Sequence, residues 1–133
     1  MTPNFLTLAE ILEIHRDQIV RYGGGLELRD AGLLEAARAM PEQSFDGQFL
    51  HRDLPAMAAA YLYHLVKNHP FVDGNKRAGA ATAVVFLHLN DLRLNCTQDE
   101  YYNLTLGVAD SSISKDEAAE FFRRHVVPAG DAQ

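Results

Sequence analysis

The fold is decided by a stretch in the middle of the chain: His69-Pro70-Phe71-Val72-Asp73-Gly74-Asn75-Lys76-Arg77. Pro70 ends a preceding helix, and Gly74 permits the tight turn that follows. From residue 75 to Leu89 the side chains are mostly small and apolar, which lets neighbouring helices approach closely on most sides. We therefore predict a central buried helix that begins directly after the turn.

Helix-start signals predict further helices on both sides of this central one. Three of them are capping boxes, in which a Ser or Thr is followed three residues later by Glu. The predicted N-terminal caps are Thr7, Asp30, Asp53, Thr97 and Ser114. The first helix is predicted to stop at the glycines of positions 23–25, and the second to run through Met40.

The remaining segments are predicted to be short and non-helical. The stretch from Pro41 to Asp53 combines Pro and Gly with exposed aromatic residues and favours a loop or small hairpin. A short extended piece is expected at Leu92–Cys96. Together these signals predict an all-α fold of about six helices with a small flap or hairpin, in a single domain over residues 1–128 and a frayed tail over 129–133.

Composition excludes several classes of protein. A formal charge of -6 has the wrong sign for a protein held to nucleic acid by phosphate contacts. The chain carries neither a long apolar run nor a signal-peptide pattern, so we expect a cytoplasmic protein with no membrane partner. Cys96 is the only cysteine and cannot form an internal disulfide.

The turn before the central helix has the chemistry of an anion site. Unpaired main-chain N–H groups and the positive end of the helix dipole lie at a helix N-terminus. Gly74 lets a phosphate approach the chain, and Asn75 offers an amide donor. Lys76 and Arg77 add two cations. These four residues are the predicted phosphate-binding set.

Two further residues of the motif point from binding to catalysis. Asp73 would repel a phosphate on its own, but it is a suitable ligand for a magnesium ion shared with that phosphate. His69 precedes the turn, and an imidazole can accept a proton from an attacking hydroxyl. We therefore predict His69 as general base, Asp73 as metal ligand, and Lys76 and Arg77 as catalytic cations on a magnesium-bound nucleotide.

A purely structural interpretation competes with this one, because Asp-Gly-Asn is a common turn and His-Pro often merely ends a helix. Outside the motif, the other histidines are predicted to be satisfied surface or core residues without a metal. The arginines at 16, 21 and 29 are predicted to be solvated, and the aromatic residues Tyr101, Tyr102, Phe121 and Phe122 to form a packing set.

The nine-residue stretch His69–Arg77 closely resembles the signature of the Fic/Doc superfamily, specifically the Doc (death-on-curing) toxins. The resemblance also includes Ile14-His15 and Arg21-Tyr22-Gly23-Gly24, and the layout of the helices after the motif. It implies an all-helical Fic fold with a flap at roughly 41–53. It also implies the same roles for His69 and Asp73, and a phosphate-binding role for residues 74–77.

Two departures from the adenylyl-transferring pattern of that superfamily are informative. Lys76 stands where the pattern has a second Gly, and Ala80 where it has a second Arg. The resemblance to Doc-type kinases implies transfer of the ATP γ-phosphoryl group to elongation factor Tu, and control by a cognate antitoxin. Adenylyl transfer by the same residues is the first alternative, and a non-catalytic Fic-fold binding module is the second.

Overall fold

A computed structural model describes residues 2–131 of the protein, and these residues form six α-helices. The helices are α1 (Leu8–Tyr22), α2 (Ala31–Ala39), α3 (Leu54–Asn68), α4 (Asn75–Leu89), α5 (Gln98–Ala109) and α6 (Lys115–His125). Two antiparallel pairs of short strands complete the described part, β1 (Ser44–Phe45) with β2 (Gln48–Phe49) and β3 (Leu92–Leu94) with β4 (Val126–Pro128). The predicted all-α architecture with a small hairpin is confirmed.

All five predicted cap residues begin helices. Each cap side chain accepts a hydrogen bond from the main-chain N–H three residues later. In the capping boxes of α1, α5 and α6 the Glu also returns a bond to the N–H of the cap residue. These starts depend on local chemistry alone, which explains why they were readable from the sequence.

The centre of the molecule is formed by α3 and α4. Both carry small buried residues along much of their length, and α3 also packs against α2 and α6. A Cβ at Gly79 would lie 3.0 Å from Val66 Cγ2 and 3.2 Å from the Leu62 carbonyl oxygen. Glycine at this position therefore sets the close approach of α3 and α4.

The structure differs from prediction at the ends of two segments. After α2 the chain continues as one 3₁₀ turn over Met40–Glu42, because Pro41 cannot donate the hydrogen bond that an α-helix needs there. The tail predicted to fray begins instead with a 3₁₀ turn at Ala129–Asp131, where the Ala129 N–H bonds the Asp91 carbonyl. Residues 132 and 133 lie outside the described residues. No helix in the described part is long and apolar enough to cross a membrane.

Candidate active site

A cavity of about 470 Å³ opens where α4 begins. Its lining residues are Val66, His69, Val72, Asp73, Gly74, Asn75, Lys76, Arg77 and Ala109. All six residues that the sequence predicted for the site therefore surround one space. Val66 near the C-terminal end of α3 and Ala109 at the end of α5 complete the lining.

His69 is held at the end of α3 in an unusual backbone conformation. It is the residue after the last helical position and adopts a left-handed φ of 52°, and its side chain is exposed. Arg29 fixes this geometry, because its guanidinium donates to the carbonyls of His69 at 2.6 Å and Asn68 at 3.0 Å. Arg29 is exposed, as predicted for a solvated arginine, but its bond to a residue forty positions away was missed, because such a contact has no local sequence signal.

The Asp73 carboxylate lies against the glycine loop that follows α1. Its Oδ1 accepts from the Gly74 N–H at 2.8 Å, and its Oδ2 lies 3.4 Å from the Gly25 nitrogen. Gly24 has φ +120°, and a Cβ there would lie only 2.5 Å from Asp73 Oδ2. The glycines thus do more than end α1: they leave room for the predicted metal ligand.

His15 is buried and packs against the motif loop. The residue is 2% exposed, and its ring stacks on Phe71 with centroids 3.6 Å apart and an interplanar angle of 4°. Its Nε2 lies 2.8 Å from the Asp73 carbonyl oxygen, so in this arrangement Nε2 carries the proton and donates. The prediction of a satisfied histidine is confirmed, but its contact with the motif was missed. The available signal was its helical spacing from Ile11 and Ile19, both buried.

Asn75 clamps the motif loop with its side chain. The amide oxygen accepts from the Phe71 N–H at 2.9 Å and the amide nitrogen donates to the Phe71 carbonyl at 2.9 Å. The side chain is 5% exposed. Its phosphate-binding role stays a prediction, and its main-chain N–H at the start of α4 is the donor best placed for that role.

Lys76 and Arg77 differ in how firmly they are held. The Arg77 guanidinium donates to the Gly23 carbonyl at 3.0 Å and to the Gln18 carbonyl at 3.4 Å. Lys76 is exposed, and within residues 2–131 its ammonium has no hydrogen-bond partner. Arg77 is therefore a positioned cation, whereas Lys76 is free to follow an anion that enters the cavity.

The donor set suits a magnesium ion that is shared with a phosphate. Among the described residues no three His, Cys, Asp or Glu side chains converge as a protein-only metal cage. Asp73 supplies one exposed carboxylate in the cavity, beside the N-terminus of α4. Mg²⁺ is commonly held by one or two carboxylates together with substrate phosphates and water, so the residues present fit this group.

An all-α fold with this motif at the start of a buried helix defines a Fic-type protein. The family described as Fic/DOC matches residues 5–87. The chain is 31% identical over 115 residues to the protein named Protein kinase doc from Escherichia phage P1, covering 86% of this chain and 90% of that protein. It is 45% identical over 75 residues to Toxin Doc from Mycolicibacterium smegmatis, covering 56% of this chain and 58% of that protein. The chain belongs to the Fic/Doc family, as its sequence predicted.

Proposed function

We propose that this protein is a Doc-type toxin that transfers the γ-phosphoryl group of ATP to a protein hydroxyl. The observation that carries the proposal is the placement of Lys76, an exposed cation at the start of α4 in the same cavity as His69 and Asp73. The names of the two relatives, a protein kinase and a toxin, agree with this activity.

Each residue has a separate task in the transfer. The α4 N-terminus, Lys76 and Arg77 bind the phosphate chain and offset charge on the transferring group. Asp73 would hold magnesium, which would supply positive charge to neutralise the phosphate chain. The His69 imidazole takes the proton of the attacking hydroxyl. A bond then forms between that oxygen and the γ-phosphorus, the bond to the bridging oxygen breaks, and ADP leaves.

The substrate we propose is elongation factor Tu, whose modification would arrest translation in the cytoplasm. A toxin of this kind needs a partner that neutralises it, and we propose an antitoxin encoded in the adjacent reading frame. Co-expression tests this partner: growth should recover when the neighbouring gene is expressed, and the two proteins should purify together. A toxic chain that the neighbour neither rescues nor binds would contradict it.

The reaction is tested by incubating the protein with elongation factor Tu, Mg²⁺ and ATP labelled on either the γ- or the α-phosphate. The γ label should appear in the target and the α label should not. The opposite result would mean adenylyl transfer.

Transfer should be lost in His69→Ala and Asp73→Ala but retained in His88→Ala, a matched variant of an exposed histidine at the far end of α4. If neither label is transferred and both variants bind ATP like the native protein, the protein is a binding module.

A further inference from the structure

The segment between α1 and α2 forms an isolated antiparallel bridge with the motif loop. Leu28 pairs with Phe71 across this bridge, and the Val72 N–H bonds the Glu27 carbonyl at 3.0 Å on one side of the pair. A second main-chain bond closes the other side. In an antiparallel pair bounded in this way, the main-chain groups of the two central residues point away from each other. The bridge therefore has two outer edges, one at Phe71 and one at Leu28.

The two edges differ in how their main-chain groups are satisfied. The Asn75 side chain bonds both the N–H and the carbonyl of Phe71, each at 2.9 Å, and so fills that edge. On the opposite edge, the N–H and the carbonyl of Leu28 have no hydrogen-bond partner within residues 2–131. Unpaired main-chain groups at an exposed edge can pair with an extended segment of another chain.

The side chains of residues 26–28 give this edge its chemistry. Leu26 and Leu28 are 54% and 43% exposed, and their spacing places them on one face of an extended chain. The exposed carboxylate of Glu27 has no ion-pair partner in the described part of the chain. The edge therefore fits an extended segment that sets apolar side chains against the leucines and a Lys or Arg against Glu27.

Exposed apolar side chains alone do not mark a docking site. Tyr102 is 63% exposed, in contrast to the prediction that it packs with its neighbours. It lies within α5, where the main-chain groups bond one another along the helix and offer nothing to an added strand. At the 26–28 edge, exposed leucines and unpaired main-chain groups occur together.

The 26–28 edge lies close to the cavity in which transfer is proposed. Val72, which bonds Glu27, lines that cavity, and Arg29 bonds the His69 carbonyl at 2.6 Å. Neighbouring strands are about 4.8 Å apart, so an added segment would lie roughly 10 Å from the motif loop. Three extended residues span about the same distance. A hydroxyl about three residues away from the docked segment would therefore reach the cavity.

We propose that the 26–28 edge binds an extended segment of the protein substrate and thereby delivers the acceptor hydroxyl to the cavity. Main-chain hydrogen bonds to Leu28 would supply affinity, and the leucines and Glu27 would select the side chains of the segment. This inference rests on the proposed function, because it names the part of the substrate that the site receives.

Steady-state transfer from ATP to elongation factor Tu tests the edge. Leu28→Pro removes the outward N–H but keeps the main-chain bonds to the motif loop, and Pro is tolerated at strand edges. It should raise the KM for the protein substrate about tenfold, the equivalent of one lost hydrogen bond, without changing kcat or the KM for ATP. Leu28→Ala, which keeps the N–H, should raise that KM less. Glu27→Gln should raise it about 2- to 5-fold.

Leu89→Ala is the matched control for Leu28→Ala, because Leu89 is similarly exposed, at 39%, and lies at the far end of α4. It should keep the native KM for elongation factor Tu. Thermal unfolding checks that Leu28→Pro is folded, and Leu28→Ala and Glu27→Gln test the same edge without a change of backbone.

Hydrogen exchange gives a readout that a loss of stability would not mimic. In the native protein the Leu28 amide should exchange much faster than the Val72 amide, which is bonded to Glu27. Elongation factor Tu, added without ATP, should slow exchange at Leu28 and leave Val72 unchanged. If the Leu28 amide stays unprotected, or if Leu28→Pro and Glu27→Gln both keep the native KM, the substrate docks elsewhere and the inference is wrong, while the proposed function stands. If the native protein transfers no phosphate to elongation factor Tu, the proposed function itself is wrong and the inference falls with it.

Discussion

At the scale of single residues, the motif combines side chains that face the cavity with side chains that hold the loop in place. His69, Asp73 and Lys76 are exposed around the cavity, whereas Asn75 and His15 are buried and bond main-chain atoms of the loop. The first group was predictable because its residue types, at the start of a helix, indicate a phosphate and metal site. The contacts of the second group depend on which segments meet in the folded chain.

The variants Asn75→Ala and Lys76→Ala distinguish a residue that holds the loop from a residue that faces the cavity. Asn75→Ala leaves the N–H and carbonyl of buried Phe71 without partners, and each unpaired group costs about 1–3 kcal/mol. We expect a clear fall in the free energy of unfolding, measured by chemical denaturation. Lys76→Ala, an exposed change, should alter stability by less than about 0.5 kcal/mol while abolishing phosphoryl transfer. If Asn75→Ala is inactive yet as stable as the native protein, its side chain serves the phosphate and not the loop.

The glycine loop offers a second pair of variants. Gly23 and Gly24 both have positive φ, of 87° and 120°, so alanine at either position should cost about 1–3 kcal/mol in backbone strain. A Cβ at position 23 would have nothing within 4 Å, whereas one at position 24 would collide with Asp73 Oδ2. We therefore expect Gly24→Ala to lower the transfer rate and weaken Mg²⁺-dependent ATP binding much more than Gly23→Ala. Equal activity of the two variants would mean that the Asp73 carboxylate tolerates displacement.

At the scale of elements, the motif loop is fastened to the segment between α1 and α2. The N–H of Val72 bonds the Glu27 carbonyl at 3.0 Å, and the main-chain N–H of Arg29 bonds the Pro70 carbonyl at 2.7 Å. The Arg29 guanidinium adds its two bonds to the end of α3. The position of His69 therefore depends on contacts between the end of α3 and the segment between α1 and α2, which lie about forty residues apart in the sequence.

Arg29→Ala should release the end of α3 and lower kcat for phosphoryl transfer by roughly tenfold, a fraction of the effect of losing a general base. The KM for ATP should change little, because the residues proposed to bind phosphate lie at the start of α4 and not at the end of α3. Arg21→Ala is the control: that guanidinium bonds only Asp17 on the surface of α1 among the described contacts. A kinetic effect that falls on KM and leaves kcat unchanged would argue that Arg29 does not position His69.

The elements also show what the sequence can predict. The helix starts were predicted from cap residues, and the bounds of α4 from its apolar spacing and the turn before it. Each of these signals lies within a few residues of the helix end that it predicts. The extended piece predicted at Leu92–Cys96 contains β3 (Leu92–Leu94), but its partner Val126–Pro128 was not predicted, because the pairing joins segments more than thirty residues apart. Hydrogen bonds of that kind have no short-range pattern, and neither do the Arg29 contacts.

At the scale of the whole molecule, one polar cluster joins the segment after the hairpin to two helices. The Lys115 ammonium at the start of α6 lies 3.2 Å from His51 Nε2 and 3.2 Å from His64 Nε2 on α3. Each imidazole can accept from the ammonium only while it is neutral. Burial and the Lys115 charge lower the pKa of His64 to about 4, and the same two causes lower the pKa of His51, against a smaller opposite effect of Asp116.

These pKa values predict how stability changes with pH. In the unfolded chain an imidazole has a pKa of about 6.5. Between about pH 6.5 and pH 4, His64 therefore binds a proton in the unfolded state but not in the folded state. The free energy of unfolding should therefore fall as the pH is lowered through this window. Below about pH 4 His64 is protonated in both states, and its contribution to the free energy of unfolding no longer changes with pH. His64→Gln, which keeps a polar side chain without a titration, should flatten part of the slope when urea denaturation is repeated across the range. His88→Gln should retain the native slope, because His88 is exposed and lies outside the cluster. A His64→Gln protein that loses as much stability as the native one between pH 6.5 and 4 would show that other groups, and not this cluster, govern the acid sensitivity of the fold.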